Sequence, residues 1–128
     1  MSALAFLSAA ELATMVRQGR IGCVELLDHM INRVERLDAR INAIVVRDFE
    51  RARETARALD NASEEDKGGP LFGVPMTVKE SFDVAGLPTT GGYEHHKDNI
   101  AKEDALAVQR FKRAGAVIFG KTNVPVSL

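Results

Sequence analysis

The run Ala116-Val117-Ile118-Phe119 constrains the fold more than any other feature of the sequence. Four consecutive apolar residues between two glycines lack the alternation of a strand that has one solvated face. Such a run is typical of a strand buried on both faces. Both faces can be buried only if other elements cover the two sides of a sheet. We therefore expect an α/β arrangement in layers, with some parallel pairing of strands.

Helical patterns dominate residues 1–67. Ser8 and Glu11 form a capping-box pattern, which predicts the start of a first helix. A second helix is expected to begin near Cys23 and a third near Asp48, because each position is followed by apolar residues at helical spacing. The amino-terminal half is therefore expected to form a helical layer.

Residues 68–128 have a different character. An apolar strand is expected over residues 72–78, followed by a loop rich in glycine and proline over residues 82–93. A fourth helix is expected to begin near Asp104, which is a good N-cap residue. The order strand, loop, helix and buried strand supports the α/β class.

Charge and hydropathy exclude several classes of partner. The 128 residues include 17 basic and 18 acidic side chains, so no strong field favours nucleic acid or an anionic membrane. No apolar stretch approaches the ~18 residues of a membrane span, and the N-terminus lacks the basic region of a secretory signal. We predict no nucleic-acid partner and no membrane partner.

Cysteine and histidine usage points to neither disulfide nor metal chemistry. Cys23 is the only cysteine, which excludes an internal disulfide and fits a reducing cytoplasm, so a cytoplasmic location is predicted. Its helical spacing favours a core thiol over a nucleophile. The adjacent His95 and His96 have no carboxylate or cysteine at ligand spacing. We predict no metal site and no cofactor.

The stretch GAVIFGKT, residues 115–122, matches the G-x-x-x-x-G-K-[ST] pattern of phosphate-binding loops. That loop requires a strand before it and a helix N-terminus after it. Here a helix precedes Gly115, the variable positions are the strand itself, and Pro125 follows soon after Lys121. The match is therefore interpreted as accidental.

The segment GGPLFGVPMTVKESFDVAGLPTTGG, residues 68–92, carries the candidate chemistry. Lys79 ends an apolar strand and lies on the opposite strand face from Val78. Two interpretations stay open from the residues alone. A desolvated lysine loses its charge more readily and is then a usable general base. The plainer alternative is a solvated lysine that has Glu80 and Asp83 as ionic partners.

The same segment resembles the lysine block of the amidase signature family, which comprises serine hydrolases with a Ser–cis-Ser–Lys triad. The matching residues are Gly69-Pro70-Leu71, Gly73-Val74-Pro75, Val78-Lys79-Glu80 and Asp83-Val84-Ala85-Gly86-Leu87-Pro88-Thr89-Thr90. Residues 114–123 resemble the next block of the family. The resemblance implies that residues 1–128 are the N-terminal part of an amidase signature domain, with its helices and the first strands of its mixed sheet.

The resemblance implies that Lys79 is the catalytic lysine. In the family this amine deprotonates a serine held by a cis peptide bond, and that serine activates the nucleophilic serine, which attacks the amide carbonyl. A small-molecule amide is the implied substrate. Glu80 stands where many relatives have Asp, and Ser81-Phe82 where many have Asn-Ile. These departures favour a general amidase over a transamidation subunit that uses glutamine.

No serine of the chain lies in the Gly-Gly-Ser-Ser-Gly setting of the family; the five are Ser2, Ser8, Ser63, Ser81 and Ser127. We therefore expect the chain to supply only the lysine and to be inactive alone, as a fragment or a natural truncation. The rival interpretation is a non-catalytic module for assembly or partner binding. Strands 72–78 and 116–119 would lack sheet neighbours in such a chain, so a homo-oligomer is expected.

Overall fold

The computed structural model describes residues 2–125 and 127–128 of the chain. Its helices and strands, in chain order, are α1 (Ala9–Arg17), α2 (Cys23–Leu37), β1 (Ile44–Arg47), α3 (Phe49–Asp60), β2 (Pro75–Lys79), α4 (Leu106–Arg113) and β3 (Val117–Thr122). Short 3₁₀ turns lie at Ser2–Phe6, Asp38–Arg40, Glu64–Asp66 and Glu94–His96. The α/β class predicted from the sequence is confirmed.

The starts of the first two helices are set by side-chain oxygens. The Ser8 backbone N–H donates to Glu11 Oε2 at 2.8 Å, and the Glu11 N–H donates to Ser8 Oγ at 3.2 Å, so the predicted capping box is present. At α2 the N–H groups of Cys23 and Val24 donate to the carboxylate of Asp60, at 2.6 and 3.1 Å. The last residue of α3 therefore caps the first turn of α2, which ties these two helices together.

Strand β3 is the central strand of a three-stranded mixed sheet with the order β1-β3-β2. It pairs antiparallel with β1 and parallel with β2. The expectation that residues 116–119 lack sheet neighbours is therefore wrong, because β3 is hydrogen-bonded on both sides. Within the described residues, β1 and β2 each pair with β3 alone, so each has one free edge.

Both faces of β3 are covered, as its apolar run predicts. Val117 and Phe119 face the larger core, formed with the helices α1 to α3, and Ile118 faces a smaller core on the other side. The larger core includes Leu12, Val16, Cys23, Leu26, Leu27, Ile31, Ala52, Ala56, Phe72 and Val74. The smaller core consists of Val78, Val84, Leu87, Val108 and Ile118, with three partly buried neighbours.

Two element boundaries differ from the sequence expectation. Strand β2 begins at Pro75 rather than at residue 72, because Gly73 adopts a φ of 73° in a turn that precedes the strand. Helix α4 begins at Leu106, and its N-cap residue is Ala105 rather than Asp104. The Asp104 carboxylate instead accepts a hydrogen bond from the Ala85 N–H at 2.8 Å, so it fixes the loop after β2.

No helix among the described residues is long and apolar enough to cross a membrane.

Candidate active site

Lys79 is the last residue of β2 and lies at the carboxyl end of the sheet, where the two parallel strands β2 and β3 both stop. Its Cα lies opposite Thr122, the last residue of β3. The Glu80 N–H donates to the Thr122 carbonyl at 2.9 Å, and the Lys79 carbonyl accepts from the Phe82 N–H at 2.9 Å. The backbone on both sides of Lys79 is thus fixed. The carboxyl ends of strands in open α/β sheets are the usual place for a ligand.

The side chain of Lys79 is exposed, whereas Val78 before it and Glu80 after it are buried. The expectation of a lysine desolvated within this chain is therefore not met. The alternative hypothesis of a solvated lysine correctly predicted that the Lys79 side chain is exposed. It was wrong about the partner, because Glu80 forms its ion pair with Lys121 rather than with Lys79. An exposed amine at a fixed strand end is available to groups that approach from outside the chain.

An apolar cleft of about 190 Å³ runs along the free edge of β2 beside Lys79. Its lining residues come from β2, from the turn after it and from α4: Met76, Thr77, Val78, Lys79, Phe82, Ala107, Val108 and Phe111. Phe82 is 43% exposed, so an aromatic ring stands open three residues from the lysine. The cleft offers apolar contact to whatever is placed next to the amine.

A buried ion pair lies behind the exposed lysine. Lys121 is 0% exposed and Glu80 is 3% exposed. The Lys121 ammonium donates to the Pro88 carbonyl and, at 2.9 Å, to Thr89 Oγ1. It lies 3.7 Å from Glu80 Oε1. The three donors of the ammonium therefore face three oxygen atoms, which is the pairing that a buried lysine requires.

The carboxylate of Glu80 is also held by Thr90. The Thr90 N–H donates to Glu80 Oε1 at 2.6 Å, and the Thr90 hydroxyl donates to Oε2 at 2.7 Å. Burial lowers the pKa of Lys121 from its usual value, while the carboxylates of Glu80 and Asp83 act in the opposite direction. This network joins the end of β2, strand β3 and the segment 88–90.

Sequence reasoning missed the structural role of Lys121, which it treated only as part of an accidental motif. A signal was available, because Lys121 comes two residues after the doubly buried run and continues the same strand. A charged residue that extends a doubly buried strand has to find a buried partner. The identity of that partner depends on the parallel pairing of β2 with β3, which places Val78 opposite Lys121.

The segment 115–122 does not have the geometry of a phosphate loop. Gly115 follows the end of α4 and has a φ of 92°, and Val117–Thr122 is strand throughout. The ammonium of Lys121 is already bound to protein oxygen atoms. The structure therefore agrees with the rejection of a nucleotide site at this motif.

The other candidate groups lie away from Lys79 or are engaged elsewhere. Burial raises the pKa of the Cys23 thiol to about 12, with a further contribution from Asp60, so this thiol is a poor nucleophile. His95 and His96 pack against each other and against Tyr93. Within residues 2–125 and 127–128, no three potential ligands of the types His, Cys, Asp and Glu come together.

Three of the five serines have hydrogen-bond partners outside the segment 68–92. Ser8 caps α1, and the Ser63 hydroxyl donates to Asp66 at 2.6 Å. Ser127 contacts the Tyr93 hydroxyl. The chain brings a lysine, an apolar cleft and a rigid support to one sheet edge, and these parts suit proton transfer once a nucleophile is supplied.

Comparison with known proteins identifies the class to which this arrangement belongs. The family model described as Amidase matches residues 25–128. The acylamidase of Rhodococcus erythropolis is 42% identical over 125 residues, which cover 97% of this chain and 26% of that protein. Fatty-acid amide hydrolase 2 of Homo sapiens is 38% identical over an alignment of 128 positions, which covers 94% of this chain and 24% of that protein.

Solved structures agree with the sequence comparison. A fatty acid amide hydrolase superposes with a TM-score of 0.88 at 27% identity, covering 96% of this chain and 22% of that one. A bacterial aryl acylamidase of the amidase signature family superposes with a TM-score of 0.83 at 29% identity, covering 94% and 26%. The chain spans about a quarter of the length of the relatives it matches.

The class defined by this fold and by the sequence of its lysine strand is the one whose family model is described as Amidase. Within that class, the chain belongs to the amidase signature family. The resemblance seen in the lysine block is thereby confirmed. The mixed sheet with its helical layer is the part of the family fold that these residues form.

Proposed function

We propose that this chain is the N-terminal part of an amidase signature domain and that Lys79 is the lysine of a Ser–cis-Ser–Lys triad. The observation that carries the proposal is the place of Lys79. In a chain of the Amidase family, the lysine of Val78-Lys79-Glu80 ends a parallel strand, with its backbone fixed and its side chain exposed beside an apolar cleft.

The proposed reaction is hydrolysis of an amide C–N bond. The amine of Lys79 accepts a proton from one serine, which accepts a proton from the nucleophilic serine as that oxygen attacks the carbonyl carbon. The proton then passes to the leaving amine, and water releases the acyl group from the serine. The 128 residues supply the lysine, and the Gly-Gly-Ser-Ser-Gly setting of the two serines is not in their sequence.

The proposed substrate is a small-molecule amide, and the reaction is proposed to use no cofactor and no metal. Relatives named as an acylamidase and as fatty-acid amide hydrolase 2 support an acyl amide as the chemical class. The apolar side chains beside Lys79 support an acyl group with apolar character. We also propose a cytoplasmic location, because the sole cysteine is a buried free thiol that needs no oxidising compartment.

The test is amidase activity in the protein that carries these residues together with a glycine-serine block. Lys79→Met is expected to lower kcat/KM for acyl amides by about 10³-fold, since general-base catalysis contributes about 10²–10⁴-fold. Lys79→Arg should be equally inactive, because an arginine side chain stays protonated. Lys102→Met is the matched control, since Lys102 is an exposed lysine on the loop before α4.

The 128-residue chain by itself is expected to show no amide turnover above background. Hydrolysis by this chain that depends on Lys79 would contradict the proposal that these 128 residues supply the lysine of the triad without its two serines. Full activity in Lys79→Met, with the protein folded, would overturn the role of Lys79.

The second candidate function is assembly as a non-catalytic module, and one observation favours it. Strand β2 has a free edge among the described residues, and Phe111 of the neighbouring helix α4, which is 38% exposed, lines the cleft beside it. Free strand edges and apolar side chains favour association. A homo-oligomer paired through β2 is the proposed form. Light scattering at micromolar concentration tests this proposal, and a stable folded monomer would contradict it.

A further inference from the structure

Lys121 has no part in the proposed reaction, yet it is a fully buried charge. Its ammonium binds segment 88–90 through the Pro88 carbonyl and Thr89 Oγ1, and it lies 3.7 Å from Glu80 Oε1. Two separate parts of the chain are therefore bound to one atom on the central strand. Glu80 directly follows Lys79, so only one peptide unit separates the Lys121–Glu80 ion pair from the proposed base.

Stability alone does not account for such a pair. Replacement of a buried ion pair by apolar residues of similar volume is often neutral or stabilising, because the desolvation of two charges offsets their attraction. Removal of one partner, by contrast, leaves an uncompensated buried charge and is strongly destabilising. What a buried pair with several hydrogen bonds supplies is a single defined geometry. Here that geometry includes the end of β2.

The backbone around Lys79 is held in place by hydrogen bonds that connect it to the buried pair. The Glu80 N–H donates to the Thr122 carbonyl, and the Thr122 hydroxyl contacts the Val78 carbonyl at 3.4 Å. Glu80 is thus held by its backbone to the end of β3 and by its side chain to Lys121 and Thr90. A lysine between two such fixed neighbours has its Cα in one place, although its side chain is free to turn.

We infer that the Glu80–Lys121 pair is a positioning unit that holds the Lys79 backbone and the segment 88–90 in one fixed relation. The inference rests on the proposed function of Lys79 as the base. Both members of the pair are buried, so the inference gives neither of them a contact with the substrate. Both act through Lys79, whose amine has to meet a serine within hydrogen-bond distance, and a displacement of about 1 Å can cost 10²-fold in rate.

The test uses Lys121→Met, Glu80→Gln and the double variant in the amidase that carries these residues. Gln in place of Glu80 keeps one acceptor for the Thr90 N–H and offers a donor to its hydroxyl. Each single variant is expected to lose thermal stability because one charge is left unpaired. The double variant should recover a melting temperature close to that of the unchanged protein.

The discriminating measurement is kcat in the double variant. We expect kcat to stay at least about tenfold below that of the unchanged enzyme while KM changes by less than about threefold, because the base is displaced and substrate contacts are kept. Lys102→Met again serves as the control. Recovery of kcat together with the melting temperature would show that only charge balance matters, and it would overturn the inference.

A second measurement is independent of catalysis. Backbone amide hydrogen exchange at Glu80, Phe82 and Thr90 is expected to be at least about tenfold faster in the double variant, with the amides of α2 unchanged. Unchanged exchange at these three amides would overturn the inference even if the enzyme were impaired. Full activity of Lys79→Met would instead contradict the proposed function, so the two failures are distinguishable.

Discussion

The two faces of the sheet are held in different ways. On one face, the helices α1 to α3 bury a large apolar core in which Leu26, Leu27 and Ile31 are fully enclosed. On the other face and at the sheet edge, a small apolar cluster is accompanied by the Glu80–Lys121 pair and its hydrogen bonds to the segment 88–90. The candidate active site lies at that sheet edge, where Lys79 directly precedes Glu80 of the buried pair.

This difference separates two tasks. Apolar burial is favourable and has no directional requirement, so the helical face is suited to stabilise the fold. Charged groups and hydrogen bonds have strict distance and angle requirements, so the lysine-bearing region is suited to fix the positions of atoms. The comparison makes quantitative predictions for variants on each side.

Ile31→Ala, on the helical face, is expected to have the largest effect on stability. Ile31 is 0% exposed, and truncation of such a side chain removes apolar burial and leaves a cavity, so the free energy of unfolding should fall by about 3 kcal/mol. Ile41→Ala is the control, since Ile41 is 66% exposed and should lose less than about 0.5 kcal/mol. Urea unfolding measures both, and equal losses would contradict the placement of the core.

Thr90→Val, on the side with the buried charges, is expected to have a smaller effect. The variant removes the hydroxyl donor to Glu80 Oε2, a hydrogen bond to a charged group that contributes about 2 kcal/mol, while the Thr90 N–H still donates. Thr55→Val on the exposed side of α3 is the matched control, because the Thr55 hydroxyl bonds only the Arg51 carbonyl within its own helix. A Thr90→Val variant as stable as the control would contradict the claim that hydrogen bonds to the buried pair hold this side of the sheet.

Alkaline pH provides a third test, directed at the helical face. The Cys23 thiol has its pKa raised from 9.0 to about 12 by burial and by Asp60. A raised folded-state pKa gives stability that is complete below pH 9 and is lost as pH rises from 9 towards 12. The free energy of unfolding should fall by about 1 kcal/mol between pH 8 and 10 from this group alone. Cys23→Ala should remove that part of the slope, and an unchanged slope would show that the thiol is not protected.

Asp60→Ala is expected to have the smallest effect of the four. The carboxylate accepts from the first two N–H groups of α2, and loss of such a cap costs about 1 kcal/mol or less where it is exposed. Glu54→Ala, on an exposed position of the same helix α3, controls for the loss of a carboxylate. Thermal unfolding of the two variants side by side measures the difference. No difference would mean that the helical face depends on apolar contacts alone.

Much of the local structure was predictable from the sequence because its causes are local. The capping box at Ser8 and Glu11 joins residues three apart, and the stripe that follows Cys23 depends on one helical period. The run Ala116-Val117-Ile118-Phe119 predicted a strand with two covered faces, and its side chains are buried on both. The lysine block identified the family without any knowledge of contacts.

The hydrogen-bond partners of Asp104 could not be predicted from its local sequence. Its residue type predicted an N-cap, but its carboxylate is used by the Ala85 N–H and by Lys112 Nζ, at 2.8 and 2.7 Å. An acidic side chain can satisfy a helix start or a neighbouring loop, and the choice depends on which donors the fold brings near. The same limit explains why the sequence offered Glu80 to Lys79 as a partner.

The sequence by itself determined the α/β class, the family and the lysine at the end of an apolar strand, because each of these follows from residue types at short spacing. Only the tertiary structure decided that β3 is central, with β1 antiparallel and β2 parallel to it. That topology brings Lys121 within 3.7 Å of Glu80 although 41 positions separate them in the printed numbering. A buried charge takes the partner that the fold places beside it, and no local pattern specifies a contact across two strands.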